Sequence, residues 1–274
     1  MINGMILNQS IYNESYNNNE DLTLKLLIEN VQLESQLCIL EGGSIKDRFD
    51  SFIASMKKLK DRFIAFINKQ IDKIMSILKK KSTKQEKKIV DIEIKSFIYD
   101  ISELKDLMLK SSKPIDYNKS TAENIINSDI SEDDYTKEIL EIIKVKSIDD
   151  ISSINMIKME TITSDKINKI IVDLEKMKKD FESLKNHFDS YTNGIIEESK
   201  EILKLLEKKT DFIGKYTSST TLFNHEDTAP KIDKACNIVM KRLTISRNII
   251  LKLASKVLSS MGECISFNSK YLNK

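Results

Sequence analysis

The chain has 274 residues with 44 basic and 42 acidic side chains, so its net charge of +2 does not mark it as a polyanion-binding protein in bulk. It contains only two prolines and six glycines, where ordinary usage would give roughly 14 and 19. Because β-rich and α/β folds need these residues at their turns, the composition favours an all-α protein.

The first 43 residues form an acidic leader with a net charge of −5. Residues 1–20 are polar and rich in Asn, and we expect them to be disordered. Leucines at helical spacing between Asp21 and Leu40 predict one helix, which the pair Gly42-Gly43 ends. The leader has neither the basic start nor the apolar run of an export signal.

The most regular amphipathic pattern of the chain follows directly, from Ser44 to Lys81. Its apolar residues step by four and three from Ile45 to Phe66, which is heptad spacing, and the pattern then shifts by one place. Ser44 is the expected N-cap, with Asp47 three residues later. The pattern predicts a long helix with one buried face.

Basic residues outnumber acidic ones in this helix and in the residues directly after it. Residues 44–88 carry 14 basic and 5 acidic side chains, a net charge of +9 next to the acidic leader. The candidate contacts for the phosphates of nucleic acid or anionic lipid are Lys57, Lys58, Lys60, Arg62, Lys69, Lys73, Lys79, Lys80 and Lys81. The alternative is that they form only the solvated side of a core helix.

The remaining patterns predict three further regions. A second helix from Ile89 to Lys110 would complete a basic helical hairpin over residues 44–110. Residues 111–163 would be a linker with short helices at 131–146 and after Ser147, and a break at 161–165. Residues 164–274 would be a hairpin of two long helices, the second starting at Thr228 and ending near Gly262. The expected fold is an elongated, coiled-coil-like bundle.

Signals for catalysis are weak. We expect His187 to be an ordinary helix residue and His225 to lie in a solvated loop, and neither joins a metal-ligand motif. Cys38, Cys236 and Cys264 are an odd number without framework spacing, which favours reduced thiols in an intracellular protein. We also expect Glu197 and Glu198 to lie at a helix surface. The sequence predicts no enzyme, no cofactor, no metal and no small-molecule substrate.

The end of the leader carries a resemblance to a known family of sites. Ile39-Leu40-Glu41, followed by Gly42, resembles the maturation sites of tailed bacteriophages, where a head protease cuts after Glu. The segment Ile196-Glu197-Glu198-Ser199 has the same short pattern. The first match lies where the net charge changes from −5 to +9 and where a helix is predicted to end.

This resemblance implies a noncatalytic virion protein of the capsid interior. Its leader would direct co-assembly and be removed after Glu41, and its basic helix would face packaged DNA. Its partners would be other virion subunits or copies of itself, bound through helical faces, and it would reside in the virion or the host cytoplasm. The resemblance covers only the leader and its junction.

Two other functions remain open from the sequence. A cytoplasmic coiled-coil adaptor or regulator would keep the leader helix as a docking element for a partner helix. A membrane-active helical protein would use the Phe-rich face of residues 45–78. Against membrane activity, no window approaches 18 uncharged apolar residues, and we expect a soluble protein without a transmembrane segment.

Overall fold

A computed structural model of the protein describes residues 44–79, 90–111, 132–216 and 228–272. Most of these residues are helical, which confirms the expected all-α character in its broad form. The helices and strands are α1 (Ile45–Lys79), β1 (Asp91–Phe97), α2 (Ser102–Ser111), α3 (Glu132–Ile142), a 3-10 helix (Asp149–Ser153), β2 (Ile157–Thr163), a 3-10 turn (Ser164–Lys166), α4 (Asn168–Tyr216) and α5 (Thr228–Leu272).

The three long helices follow from the apolar patterns that predicted them. α4 has 49 residues and is therefore about 74 Å long at 1.5 Å per residue. α1 begins with the predicted cap: the Asp47 backbone N–H donates to Ser44 Oγ, and the Ser44 backbone N–H donates to Asp47 Oδ2. This reciprocal pairing satisfies backbone groups that the first helical turn leaves without partners.

Helix α5 lies at the centre of the molecule. The consecutive residues Ile249, Ile250 and Leu251 are all buried, and so are Cys264 and Ile265 near its end. Because three consecutive residues on a helix point in directions that span about 200°, several elements must surround α5. α1, α4 and β1 all pack against it, as do α2, α3 and the first 3-10 helix.

Side-chain contacts fix the directions of the long helices. α1 runs antiparallel to α4, since Lys60 meets Asp189 while Asn68, further along α1, meets Lys185. α1 runs parallel to α5, since Lys73 Nζ donates to Ser266 Oγ and Phe52 lies against Arg247. The rings of Phe63 and Phe188 stack with centroids 3.7 Å apart in the α1–α4 interface.

The helix predicted to begin at Ile89 is wrong for residues 91–97, which form strand β1. The second arm of the predicted 44–110 hairpin is therefore a strand followed by the short helix α2. In β1, buried Ile92 and Ile94 alternate with exposed Asp91 and Glu93, a period of two that also fits part of a helical pattern. β1 pairs antiparallel with β2, from Asp91 opposite Thr163 to Phe97 opposite Ile157.

Two further expectations about helices and breaks need correction. The stretch 161–165, predicted as a break, includes the end of β2, where the β-branched Thr161, Ile162 and Thr163 suit a strand. α5 does not end near Gly262 but continues to Leu272. Residues beyond that glycine, including Cys264, Ile265 and Asn268, are buried, and their packing outweighs the low helix propensity of one glycine.

The continuation of α5 places Asn268 against the outer edge of β1. The Lys95 backbone N–H donates to Asn268 Oδ1 at 2.9 Å, and Asn268 Nδ2 donates to the Lys95 carbonyl at 2.7 Å. The Lys95 ammonium forms an ion pair with Glu263 and lies 4.9 Å from the centroid of the Phe267 ring. One buried amide therefore takes the place of a neighbouring strand at this edge.

We expect Asn268→Ala to lower the free energy of unfolding by about 2 kcal/mol, because the backbone N–H and C=O of Lys95 would both lose their partner. Chemical denaturation monitored by circular dichroism measures this change. Ser269→Ala is the matched control, since its hydroxyl donates only within α5, to the Ser266 carbonyl. Equal stability of the two variants would show that Asn268 does not hold the edge.

Candidate polyanion-binding surface

The charged side chains of α1 are sorted by sign on its surface. Residues 11 apart on an α-helix are separated by three turns and lie almost on one line along its surface. Asp50, Asp61 and Asp72 follow one such line, and we call these three exposed residues the acidic row. Lys58, Arg62, Lys69 and Lys73 follow a neighbouring strip, and we call them the cationic row. This strip contains no carboxylate from Lys58 to Lys73, whereas Asp47 lies on it 11 residues before Lys58.

An 11-residue repeat produces this sorting. The segments 49–59, 60–70 and 71–81 read FDSFIASMKKL, KDRFIAFINKQ and IDKIMSILKKK, with Asp at the second position of each. Eleven residues over three turns correspond to 3.67 residues per turn, close to the 3.6 of a straight helix. The rows therefore stay straight along α1. The heptad spacing with a one-place shift that is predicted from the apolar residues is therefore part of an 11-residue period.

The structure separates the nine predicted polyanion contacts. Lys57, Lys58, Arg62, Lys69 and Lys79 are exposed, whereas Lys60 and Lys73 are partly buried. Lys57 and Lys79 lie beside the acidic row rather than in the cationic row. Lys58, Lys69 and Lys73 each take part in a further polar interaction of the chain. Lys80, Lys81 and the predicted processing residues Ile39, Glu41 and Gly42 lie outside the described residues.

Lys60 belongs to the α1–α4 interface. Its ammonium lies 2.5 Å from Asp189 Oδ1 and donates to Asn193 Oδ1 at 2.9 Å. The structure therefore does not place Lys60 with the cationic row, and its role is to join two helices. The sequence could not show this, because the assignment depends on where α4 lies.

Helix α5 faces the cationic row with short side chains. Lys73 Nζ donates to Ser266 Oγ at 3.0 Å. Gly262, Ser259 and Ser255 lie on the same side of α5 as Ser266, because they precede it by four, seven and eleven residues. These residues are partly buried, and a Cβ added at Gly262 would meet no described atom within 4 Å. Short polar side chains therefore border the long cationic ones.

Two charged side chains of the long helices are buried. Arg247 is fully buried, and its guanidinium carbon lies 5.1 Å from the centroid of the Phe52 ring, which is cation–π geometry. Glu198 is also buried, so the prediction that it lies at the surface is wrong. Its spacing, four residues after Leu243 and three before Ile250, places Arg247 on the apolar face of α5, a signal in the sequence that the predictions above do not use.

The second match to the processing pattern lies inside this folded region. Glu198 and the following Ser199 are both buried in α4, and Ser199 Oγ donates to the Ile195 carbonyl at 2.9 Å. A protease needs an extended and accessible chain. The helical segment 196–199 does not offer one.

The described residues offer little for nucleophilic or metal chemistry. Cys236 and Cys264 are buried core residues, as predicted, and burial raises the pKa of the Cys264 thiol to about 12. His187 Nδ1 lies 2.9 Å from the carbonyl oxygen of Ser183 in its own helix. No group of three or more His, Cys, Asp or Glu side chains is arranged to hold a metal ion in the part of the chain that the structure describes.

Within the four described segments, no helix has a stretch that is both long enough and apolar enough to cross a bilayer. Searches against protein-family models, curated proteins and solved structures found no match to this chain. Any functional assignment must therefore come from the chain's own residues.

Proposed function

We propose that this chain is a noncatalytic virion protein of the capsid interior, and that its cationic row binds the phosphate backbone of packaged DNA. The observation that carries the proposal is that Lys58, Arg62, Lys69 and Lys73 form one strip of cations beside the acidic row rather than interspersed with it. A helix face that serves only solubility has no need to separate its charges, whereas a polyanion site does.

The length of the cationic row suits several phosphates of a duplex. Lys58 and Lys73 are 15 residues apart, or about 22 Å at 1.5 Å per residue. This distance corresponds to roughly six base pairs at 3.4 Å each. The serines of α5 beside the row add hydroxyl donors of the kind that often contact phosphate oxygens. No base-reading element is part of the proposal, so we expect binding without sequence preference.

The proposal extends to the packing and the partners of the helices. Coiled-coil-like packing of α1 against α4 is supported by the stacked rings of Phe63 and Phe188. The membrane-active alternative has less support, because Phe49, Phe52 and Phe63 are buried in the core and are not available to lipid in this conformation. The exposed cations could contact either kind of phosphate, and we favour DNA over anionic lipid because Ile39-Leu40-Glu41 resembles a phage processing site.

The triple variant Lys58→Gln, Arg62→Gln and Lys69→Gln tests the DNA contact. We expect weaker binding to a duplex of arbitrary sequence, and a plot of log affinity against log salt whose slope falls by about 3, since three phosphate contacts are lost. Fluorescence anisotropy of a labelled duplex over a salt series measures both quantities.

The matched control is Lys146→Gln, Lys166→Gln and Lys179→Gln, which removes the same charge from exposed residues outside α1. It should keep the wild-type slope. Loss of affinity to the same extent in both variants would mean that only net charge matters. A wild-type protein without salt-dependent DNA binding would refute the proposed contact.

The proposed processing after Glu41 is tested on the protein from its natural source. We expect an intact mass and an N-terminal sequence that begin at Gly42, because Ile39-Leu40-Glu41 matches the head-protease pattern. A chain that keeps residues 1–41 would contradict processing and would favour the adaptor function, in which the predicted leader helix is a permanent docking element. The DNA result is independent of this outcome.

A further inference from the structure

The two edges of the small sheet differ in whether their outward backbone groups have hydrogen-bond partners. The edge of β1 is closed by Asn268, as described above. Two hydrogen bonds, one at each end of the sheet, identify the backbone groups of β2 that point toward β1. The Ile98 N–H donates to the Met156 carbonyl, and the Ser164 N–H donates to the Val90 carbonyl. Since hydrogen-bonded pairs alternate along an antiparallel ladder, residues 157, 159, 161 and 163 direct their N–H and C=O groups away from β1.

The outward edge of β2 has no strand beside it among the described residues, where the sheet has the order β1-β2. The Ile157 N–H donates to the side chain of Asn155 at 3.3 Å. Neither Met159 nor Thr161 forms a backbone hydrogen bond to another element of the described chain. An edge of this kind is a template for a further strand.

We propose that β2 pairs antiparallel with β2 of a second copy of this chain, centred on Met159, to make a four-stranded sheet across a two-fold axis. In this register Met159 faces the partner's Met159, and Ile157 faces the partner's Thr161. All of these residues direct backbone groups outward, so the two edges can form a regular ladder. A two-fold arrangement uses the same surface on both copies, which makes the assembly closed.

Charge complementarity selects this register and this occupant. With Met159 at the centre, Lys158 lies opposite the partner's Glu160, and Glu160 lies opposite the partner's Lys158. A register centred on Glu160 would instead place two carboxylates opposite each other, which is destabilising. Within one copy, Lys158 Nζ lies 3.9 Å from Glu160 Oε1, so both charges already lie on the same face of the strand.

Exposed apolar side chains flank the same edge. Met159 is 48% exposed and projects from the opposite face of the strand to Glu160. Val172 is 62% exposed and lies one turn after Lys169, whose ammonium forms an ion pair with Glu160. Pairing would bury apolar surface on both faces of the edge. Because one strand pair is smaller than a standard interface, we expect a dimer that depends on concentration.

A charge-swap experiment tests the proposed register on the full chain. Lys158→Glu and Glu160→Lys should each be monomeric in sedimentation-velocity ultracentrifugation at concentrations where the wild type dimerises, because each places like charges opposite each other. A mixture of the two variants should dimerise, because every cross-strand pair then has opposite charges. Thermal unfolding of each variant checks that the fold is intact, since Glu160→Lys also loses the ion pair with Lys169.

Two further variants serve as a charge control and as a direct block of the β2 edge. Lys146→Glu makes the same charge change at an exposed site outside the sheet and should leave the dimer unchanged. Met159→Pro removes an outward N–H without removing a bond to β1 and should abolish dimerisation. A wild type that is monomeric at every concentration, or single charge variants that dimerise as the wild type does, would overturn the proposal.

Discussion

The burial of α5 over more than half of its circumference is the constraint on which the rest of this structure depends. A helix whose consecutive residues Ile249, Ile250 and Leu251 are all buried cannot stand at a surface. α1 and α4 cover part of its circumference, and the sheet with the shorter helices covers a further part. The strand β1 contributes to this largely helical protein by packing its apolar face, with Ile92 and Ile94, against α5.

The position of α1 against α5 also determines what its outer surface can do. The 11-residue repeat gives α1 one straight apolar face, and packing that face on α4 and α5 leaves the acidic and cationic rows on the outside. The cationic row borders α5 at Ser255, Ser259 and Gly262. Because these residues have short side chains or none, they do not project beyond the lysines. The same repeat thus supplies the core contacts and the sorted charges.

The sequence predicts best what depends on local pattern. The long helices α1, α4 and α5 and the Ser44–Asp47 cap follow from spacing within a few turns, and the structure confirms them. β1 could not be predicted in this way, because its paired residues in β2 lie 60 to 72 positions further along the chain and its apolar spacing fits a helix as well. Local pattern does not encode such distant pairing.

The cationic row could be predicted only in part, because its composition also depends on distant parts of the chain. The sequence identifies α1 as basic, but it treats Lys58 and Lys60 alike. The structure separates them, since Lys60 turns toward Asp189 on α4 while Lys58 lies with Arg62 and Lys69. Which cations share a surface depends on where the neighbouring helices lie. The buried Glu198 and Arg247 are a different case, because their spacing from Ile195 and Ile250 already places both on the apolar faces of their helices.

In the proposed function, the cationic row of α1 is the surface that contacts the polyanion. Lysine acetylation footprinting with and without a DNA duplex, measured by mass spectrometry, tests this contact residue by residue. We expect DNA to protect Lys58 and Lys69 strongly and to leave Lys146 and Lys179 unchanged. Equal protection of all four lysines, or unchanged acetylation of Lys58 and Lys69 at saturating DNA, would contradict it.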